Sequence, residues 1–340
     1  MKLRKRLHCL LFALLCLMLA ACSVGDYIEQ PPEPVYTQPV RPDSTGEITW
    51  GGQTFSVNAE ALVLNLQVRS NEILDLSALS YCTQLRSLSL NVTVVPHIYK
   101  DKFGDPHVAE YTPTDLSPLA ALSSLERLEL NVNAIKDLTP LSGLYDLTTL
   151  VLWVEGDVDL TPLTSCTSLI SLSLGGRGTA DLTPLSRCST LSTLRVDLYD
   201  QDWKLPDLSA LSGASSLKVL SVGGCNGLSK LGNVPLERLV DHNDGGEILE
   251  NLPNLDTLTA VEFSDEHLSD IGALLRMSTV TEIVLEVGMQ DIESGTELTG
   301  PNDPVLDRLI TSIPIAQLRE FLSGGGSITL VVSHSREAGK

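Results

Sequence analysis

Six histidines, seven cysteines and 43 carboxylates in 340 residues are ample material for acid–base or metal chemistry, so their spacing decides whether any of it is organised. His97 and His107 share a stretch with Asp101, Asp105 and Glu110, a set that could hold a metal only if the loop folded back on itself. That spacing matches no metal motif and reads as a solvated loop. Asp241-His242-Asn243-Asp244-Gly245-Gly246 superficially suggests a calcium loop, but its fifth position is Gly and its twelfth is Leu252, so the ligand scheme fails twice and a Gly- and Asn-rich turn is the better reading. The chain contains no Gly-x-Ser-x-Gly, no Gly-x-x-x-x-Gly-Lys, no His-Glu-x-x-His and no Cys-x-x-Cys. Most carboxylates fall at places fixed by a repeat, so no pair of them stands out as an acid and its base. The expectation is a protein with no catalytic residues, no metal and no cofactor.

Leucines at short intervals dominate the elements that would position any site. Asp-Leu-x-x-Leu begins at Asp75, Asp115, Asp137, Asp159, Asp181 and Asp207, at intervals of 40, 22, 22, 22 and 26. Ten residues after each Asp begins Leu-x-x-Leu-x-[Leu/Val], as in Leu125–Leu130 and Leu147–Leu152, and the phase survives both longer intervals. Weaker echoes lie at 61–66, 236–241, 258–263 and 280–285. The alternation in Leu128-Glu129-Leu130 predicts a short strand with its leucines inward. In Asp137-Leu138-Thr139-Pro140-Leu141 the hydroxyl can cap a turn that opens on Pro, and Leu138, Leu141, Leu144 and Leu147 recur every third position, which predicts a short helical or 3-10 turn facing the same core. One such unit buries too little surface to fold alone, whereas stacked units give a curved solenoid with a parallel sheet on its concave side. The scarcity of aromatic residues, 4%, agrees with an aliphatic core. Cys82, Cys166 and Cys188 occupy a repeat position held elsewhere by Leu122, Leu144 and Ala214, so they read as small core residues; a bridge between Cys166 and Cys188 on neighbouring coils is sterically open.

The run Leu125-Glu-Arg-Leu128-Glu-Leu130-Asn-Val-Asn133-Ala-Ile135-Lys-Asp137-Leu138-Thr-Pro140-Leu141 resembles the 22-residue leucine-rich repeat of bacterial internalin-type surface proteins, a likeness that spans about residues 60–290. It implies an α/β repeat solenoid, a right-handed coil with a concave parallel sheet and short helical or 3-10 turns on the convex side, working as a bacterial cell-surface binding protein. One departure stands out. The ladder asparagine of that repeat is present only at Asn133, with Thr93, Glu155, Arg177, Tyr199 and Cys225 at the equivalent places, so those turns must satisfy their backbone groups differently.

Ahead of the repeats, Lys2, Arg4, Lys5 and Arg6 precede an apolar run from Leu7 to Ala21, the pattern of a signal peptide too short to span a bilayer. Its end, Leu19-Ala20-Ala21-Cys22, resembles the lipobox of bacterial lipoproteins, which implies lipid attachment at Cys22 and a domain held outside the cytoplasm at the cell envelope. The expected organisation is a signal peptide over 1–21, a lipidated Cys and Pro-rich linker over 22–45, a leucine-rich repeat domain with its N-terminal cap over 46–290, and a C-terminal cap over 291–340. Trp50 to Leu66 reads as the N-terminal cap; helical periodicity over 303–322, with Pro314 breaking or kinking it, and a strand over 327–332 read as the C-terminal one. A formal charge of −20 repels nucleic acid, and a monomer is expected.

The outward positions of successive strands would display Arg127, Glu129 and Asn131, then Thr149, Val151 and Trp153, then Ser171, Ser173 and Gly175, then Thr193, Arg195 and Asp197. From these, Arg127, Glu129, Asn131, Val151, Trp153, Arg195 and Asp197 form the expected ligand-binding face, with Trp153 as its anchor unless the indole packs on the rim or its Val neighbours. The expected partner is a protein or glycan at the cell surface. Two other readings stand beside it: a structural envelope component without a discrete ligand, and an enzyme with its site in the 94–111 insertion. That insertion and a shorter one at 200–205, which carries Trp203, interrupt the same connection and should project from one rim.

Overall fold

The computed structural model describes residues 42–43, 45–50, 53–69, 75–95, 98–100, 106–108, 114–132, 135–199, 206–223, 230–231, 234–241, 255–264, 271–287, 292–309, 311 and 313–332. Cys22, the signal and linker segments up to residue 41, Asn133, the 200–205 insertion, Cys225, His97 with Asp101, Asp105 and Glu110, and 242–246 lie outside the described residues.

Each repeat opens on its aspartate. Asp137 Oδ1 accepts the N–H of Thr139 at 2.8 Å, and Asp115, Asp159, Asp181 and Asp207 do the same for the residue two places on. The cap is therefore the carboxylate. The Thr hydroxyl, expected to accept, instead donates to it, as Thr183 Oγ1 does to Asp181 at 2.5 Å. A 3-10 turn follows at Ser117–Ala121, Thr139–Gly143, Thr161–Ser165 and Thr183–Arg187, with Pro in its first two positions, where an N–H would have no partner inside the turn. Leu141, Leu144 and Leu147 donate in succession to the carbonyls of Leu138, Leu141 and Leu144. Three-residue spacing thus carries both the backbone bonds and the inward side chains, and all four leucines are buried.

The strands are β1 (Glu47–Trp50), β2 (Gln53–Ser56), β3 (Ala61–Arg69), β4 (Ser87–Val95), β5 (Ile98–Lys100), β6 (Pro106–Val108), β7 (Arg127–Asn131) and β8 (Thr149–Glu155). They continue as β9 (Ser171–Arg177), β10 (Thr193–Tyr199), β11 (Val219–Val222), β12 (Arg238–Asp241), β13 (Ala260–Ser264), β14 (Glu282–Val287), β15 (Thr296–Glu297) and β16 (Ser327–Val332). Twelve of them form one sheet in the order β15-β16-β14-β13-β12-β11-β10-β9-β8-β7-β4-β3, parallel throughout except at β15. The four weak echoes of the repeat are β3, β12, β13 and β14. In register, Leu90, Leu130, Leu152, Leu174, Val196 and Val222 make one inward column. Each such Leu is worth about 2 kcal/mol of apolar burial, an amount no single coil could secure without its neighbours.

Strand length answers the missing asparagines. β8, β9 and β10 run two residues further than β7, and Glu155, Arg177 and Tyr199 pair in register across the position where the ladder asparagine would stand. Gly156 N–H then donates to the Arg177 carbonyl at 2.6 Å, so sheet bonds take over the role. At the N-terminal end the hairpin β1–β2 lays Ile48 on the core, with Phe55 and Val57 packed beside it, while β3, expected to be part of the cap, is the first strand of the main sheet. At the other end helical structure is confined to Ile315–Ser323, later than the 303–322 periodicity suggests, because Pro314 starts the helix instead of kinking it. β16 then joins the sheet beside β14, and the short antiparallel β15 closes that edge. The 94–111 insertion is not an irregular loop throughout, since β5 and β6 pair as a hairpin within it.

The concave face as candidate functional site

Side chains of alternating residues leave the sheet on the face opposite the leucine spine, and parallel register sets them in rows across the strands. One row runs Arg127, Thr149, Ser171, Thr193; the next Ser89, Glu129, Val151, Ser173, Arg195, Ser221; the third Asn91, Asn131, Trp153, Gly175, Asp197. All seven residues expected at the binding face lie on it. Arg127, Glu129 and Arg195 are exposed, while Asn131, Val151 and Asp197 are half-buried. Asn131 Nδ2 donates to Asn91 Oδ1 at 3.1 Å, a side-chain rung between β7 and β4.

Trp153 is 44% exposed, so more than half of its surface is covered. The benzo ring leans across the strand boundary onto Gly175 of β9, where an added Cβ would lie 2.9 Å from Cε3 and 3.0 Å from Cζ3. Two strands further on the same device recurs, with the Asp197 carboxylate leaning over Gly223, where a Cβ would meet Oδ1 at 2.2 Å. In each case a glycine lets the preceding strand's side chain lie down on the sheet. Between these two leaning groups, β9 offers Ser171 and Ser173, a low floor with Gly175 buried under the indole and the exposed Arg177 at the strand's end, flanked by Trp153 and Val151 on one side and Arg195 and Asp197 on the other.

Charges on and beside this face divide into committed and uncommitted ones. Just ahead of the strands, Arg86 pairs with Glu126 and Lys218 with Glu237 at 2.8 Å; on the face itself, Arg238 pairs with Glu262 at 3.0 Å and with Glu282 at 3.6 Å. The last of these spans β12 to β14, and Val240, Ala260 and Val284 are buried on that stretch of the face. Arg127 and Arg195 make no ion pair among the described residues. Among the described residues, the C-terminal third of the sheet is thus covered by its own side chains, and the middle third is not.

Elsewhere the titratable groups serve structure. Asp115, Asp137, Asp159 and Asp181 are held below the ordinary 3.8 by the hydroxyl and then the N–H two residues on, and Asp207 by the same groups with the N–H first; neighbouring carboxylates push Asp137 and Asp181 weakly the other way. Two of them, Asp181 and Asp207, line a cleft of about 460 Å³ with Gly178, Thr179, Leu198 and Pro206, but both carboxylates are spent on their turns. Cys82, Cys166 and Cys188 are free thiols in the core; burial, reinforced by the Cys188 thiol beside it, pushes Cys166 up to about 11. Cys166 Sγ reaches the Leu141 carbonyl at 3.3 Å instead of a partner sulfur. No three His, Cys, Asp or Glu converge among the described residues. Sequence reasoning missed Asp241, 3% exposed in the inward column between Val222 and Phe263; the signal was there in Leu236–Asp241, where the repeat calls for an aliphatic residue at the end.

No family model matches the chain, and no curated protein is similar to it. Solved structures are similar in part. Internalin InlF of Listeria monocytogenes is 24% identical over 65% of this chain and 67% of its own, with a TM-score of 0.40. Internalin C2 of the same species is 22% identical, covering 65% and 80%, at 0.35. The functional domain of Listeria InlJ, which includes a cysteine ladder, is 15% identical, covering 66% and 60%, at 0.32. The fold is a leucine-rich repeat solenoid. That follows from the 22-residue phase, the single parallel sheet and the 3-10 turns opposite it. Among the described residues no helix is long and apolar enough to cross a membrane.

Proposed function

We propose that this solenoid is a non-catalytic binding protein of the bacterial cell surface, held to the membrane by lipid on Cys22 and engaging a protein or glycan through the middle third of its concave face. The domain boundaries follow the same reading: a signal peptide over 1–21, a Pro-rich linker over 22–45, repeats over 46–290 and a terminal cap over 291–340. One observation carries the assignment of the face. A half-exposed tryptophan lies on a glycine amid small hydroxyl side chains, between two arginines that make no ion pair among the described residues. A folded chain gains nothing from an indole in water, and tryptophan and arginine are the side chains that anchor interfaces.

The test of the face is capture from host and bacterial surface extracts with the full-length chain and with Trp153→Ala and Arg195→Gln. A partner retained by the parent and lost from both variants at unchanged melting temperature is expected; retention by both removes this face from consideration. Anchoring is tested separately by metabolic labelling with an alkynyl fatty acid. The label should enter the parent chain and not Cys22→Ser, and equal labelling of the two would contradict a lipid on that cysteine.

A further inference from the structure

Resting on the concave-face reading, we infer that the occupant of this patch is a carboxylate-bearing sugar, one ring stacked on Trp153 and its acid group held by Arg195. The side-chain inventory favours a glycan over a protein. Protein interfaces set such Trp and Arg anchors in a desolvated apolar patch from which Ser, Asp and Glu are depleted. Here only Val151 and Trp153 are apolar, and around them stand Thr149, Ser171, Ser173, Asn131 and Asp197, short or planar groups suited to hydroxyls. A pyranose has one face of C–H bonds and a rim of hydroxyls. The first fits an indole laid against the sheet, and the second fits the Ser floor of β9 and the Asp197 carboxylate. Asp197 is the register partner of Trp153 two strands away, so Arg195 on β10 stands two strands across and two residues along from it, about 12 Å between Cα atoms, a gap that a disaccharide and the length of the Arg side chain close together. The anionic group is argued from charge complementarity. On a chain of net charge −20, Arg127 and Arg195 flank the tryptophan without an acidic partner among the described residues, and a guanidinium recognises a carboxylate through two parallel N–H donors.

Calorimetric titration of the full-length chain with a hyaluronan hexasaccharide, with 3′-sialyllactose and with the carboxyl-reduced form of each separates the two sources of such an acid. At least one of the acidic sugars is expected to bind. Trp153→Ala should then weaken it more than tenfold, Trp153→Phe should restore part of that loss, and Arg195→Gln should weaken the acidic form tenfold while leaving the weak binding of the reduced form unchanged. Gly175→Ala, which displaces the ring and leaves Trp153 in place, should also weaken it. Failure of both acidic sugars to bind, or binding indifferent to Trp153, overturns the inference. If neither sugar binds but a surface protein is lost from Trp153→Ala, the face is a protein site and the concave-face reading survives alone. If nothing depends on Trp153, both fall.

Discussion

At position 175 a hydrogen stands where other residues carry a carbon, and the Trp153 ring occupies the space this leaves. The ring is at the surface and free to swing, so Gly175→Ala is expected to cost little stability while raising the exposure of the indole, read by its accessibility to acrylamide; unchanged quenching would show that the ring is held by something else. Gly176 is the opposite case. Its φ is +118° and an added Cβ would lie 2.2 Å from the Val154 carbonyl oxygen, so Gly176→Ala should cost roughly 3 kcal/mol in urea unfolding, whereas Gly143→Ala, with open space around it, should stay within about 0.5 kcal/mol. Equal effects would refute the packing described. The thiols make a third test. Cys82, Cys166 and Cys188 are buried and shifted upward, hence protonated at pH 8, and they should ignore a soluble disulfide reagent until denaturant opens the coil. Which residues face which way was legible from period two alone. The leaning of Trp153 and Asp197 over glycines was not, because it depends on what the next strand places alongside, and register across strands is not a property of one segment.

For the repeated turn, the carboxylate caps impose a pH dependence. Their folded values lie below 3.8, so their contribution is complete above the unfolded value and is lost as pH falls through the lowered one; stability should drop below about pH 4, and Asp→Asn at 137, 159 and 181 together should flatten that slope. A slope unchanged in the triple variant would mean that the turns are held by their leucines alone. The sequence showed where each turn stood, since Asp, Pro and Leu keep fixed offsets. It pointed to the hydroxyl as the cap where the carboxylate serves, because both side chains have the reach and only the carboxylate is a pure acceptor. The hairpin β5–β6 was hidden for another reason: Ile98–Lys100 and Pro106–Val108 are three residues each, too short for any period to register.

Taken whole, the molecule is one leucine spine with two unlike flanks. The 3-10 turns on the convex side use their polar groups on themselves, as Ser142, Thr164 and Ser186 do by donating to carbonyls three residues back. On the concave side, pairing seals β12 to β14, and the uncommitted groups gather between β7 and β10. This asymmetry is what the proposed binding face rests on, and the repeat phase announced it only in outline, since ion pairs such as Arg238 with Glu282 join residues 44 apart. The direct measurement keeps Trp153 and places a photo-crosslinking residue at Thr149, beside it on the concave face, in one chain and at Tyr145, 60% exposed on the turns, in another, and exposes both to the captured surface partner. Covalent adducts from position 149 and none from position 145 are the predicted result. Adducts from 145 with none from 149 would contradict the account.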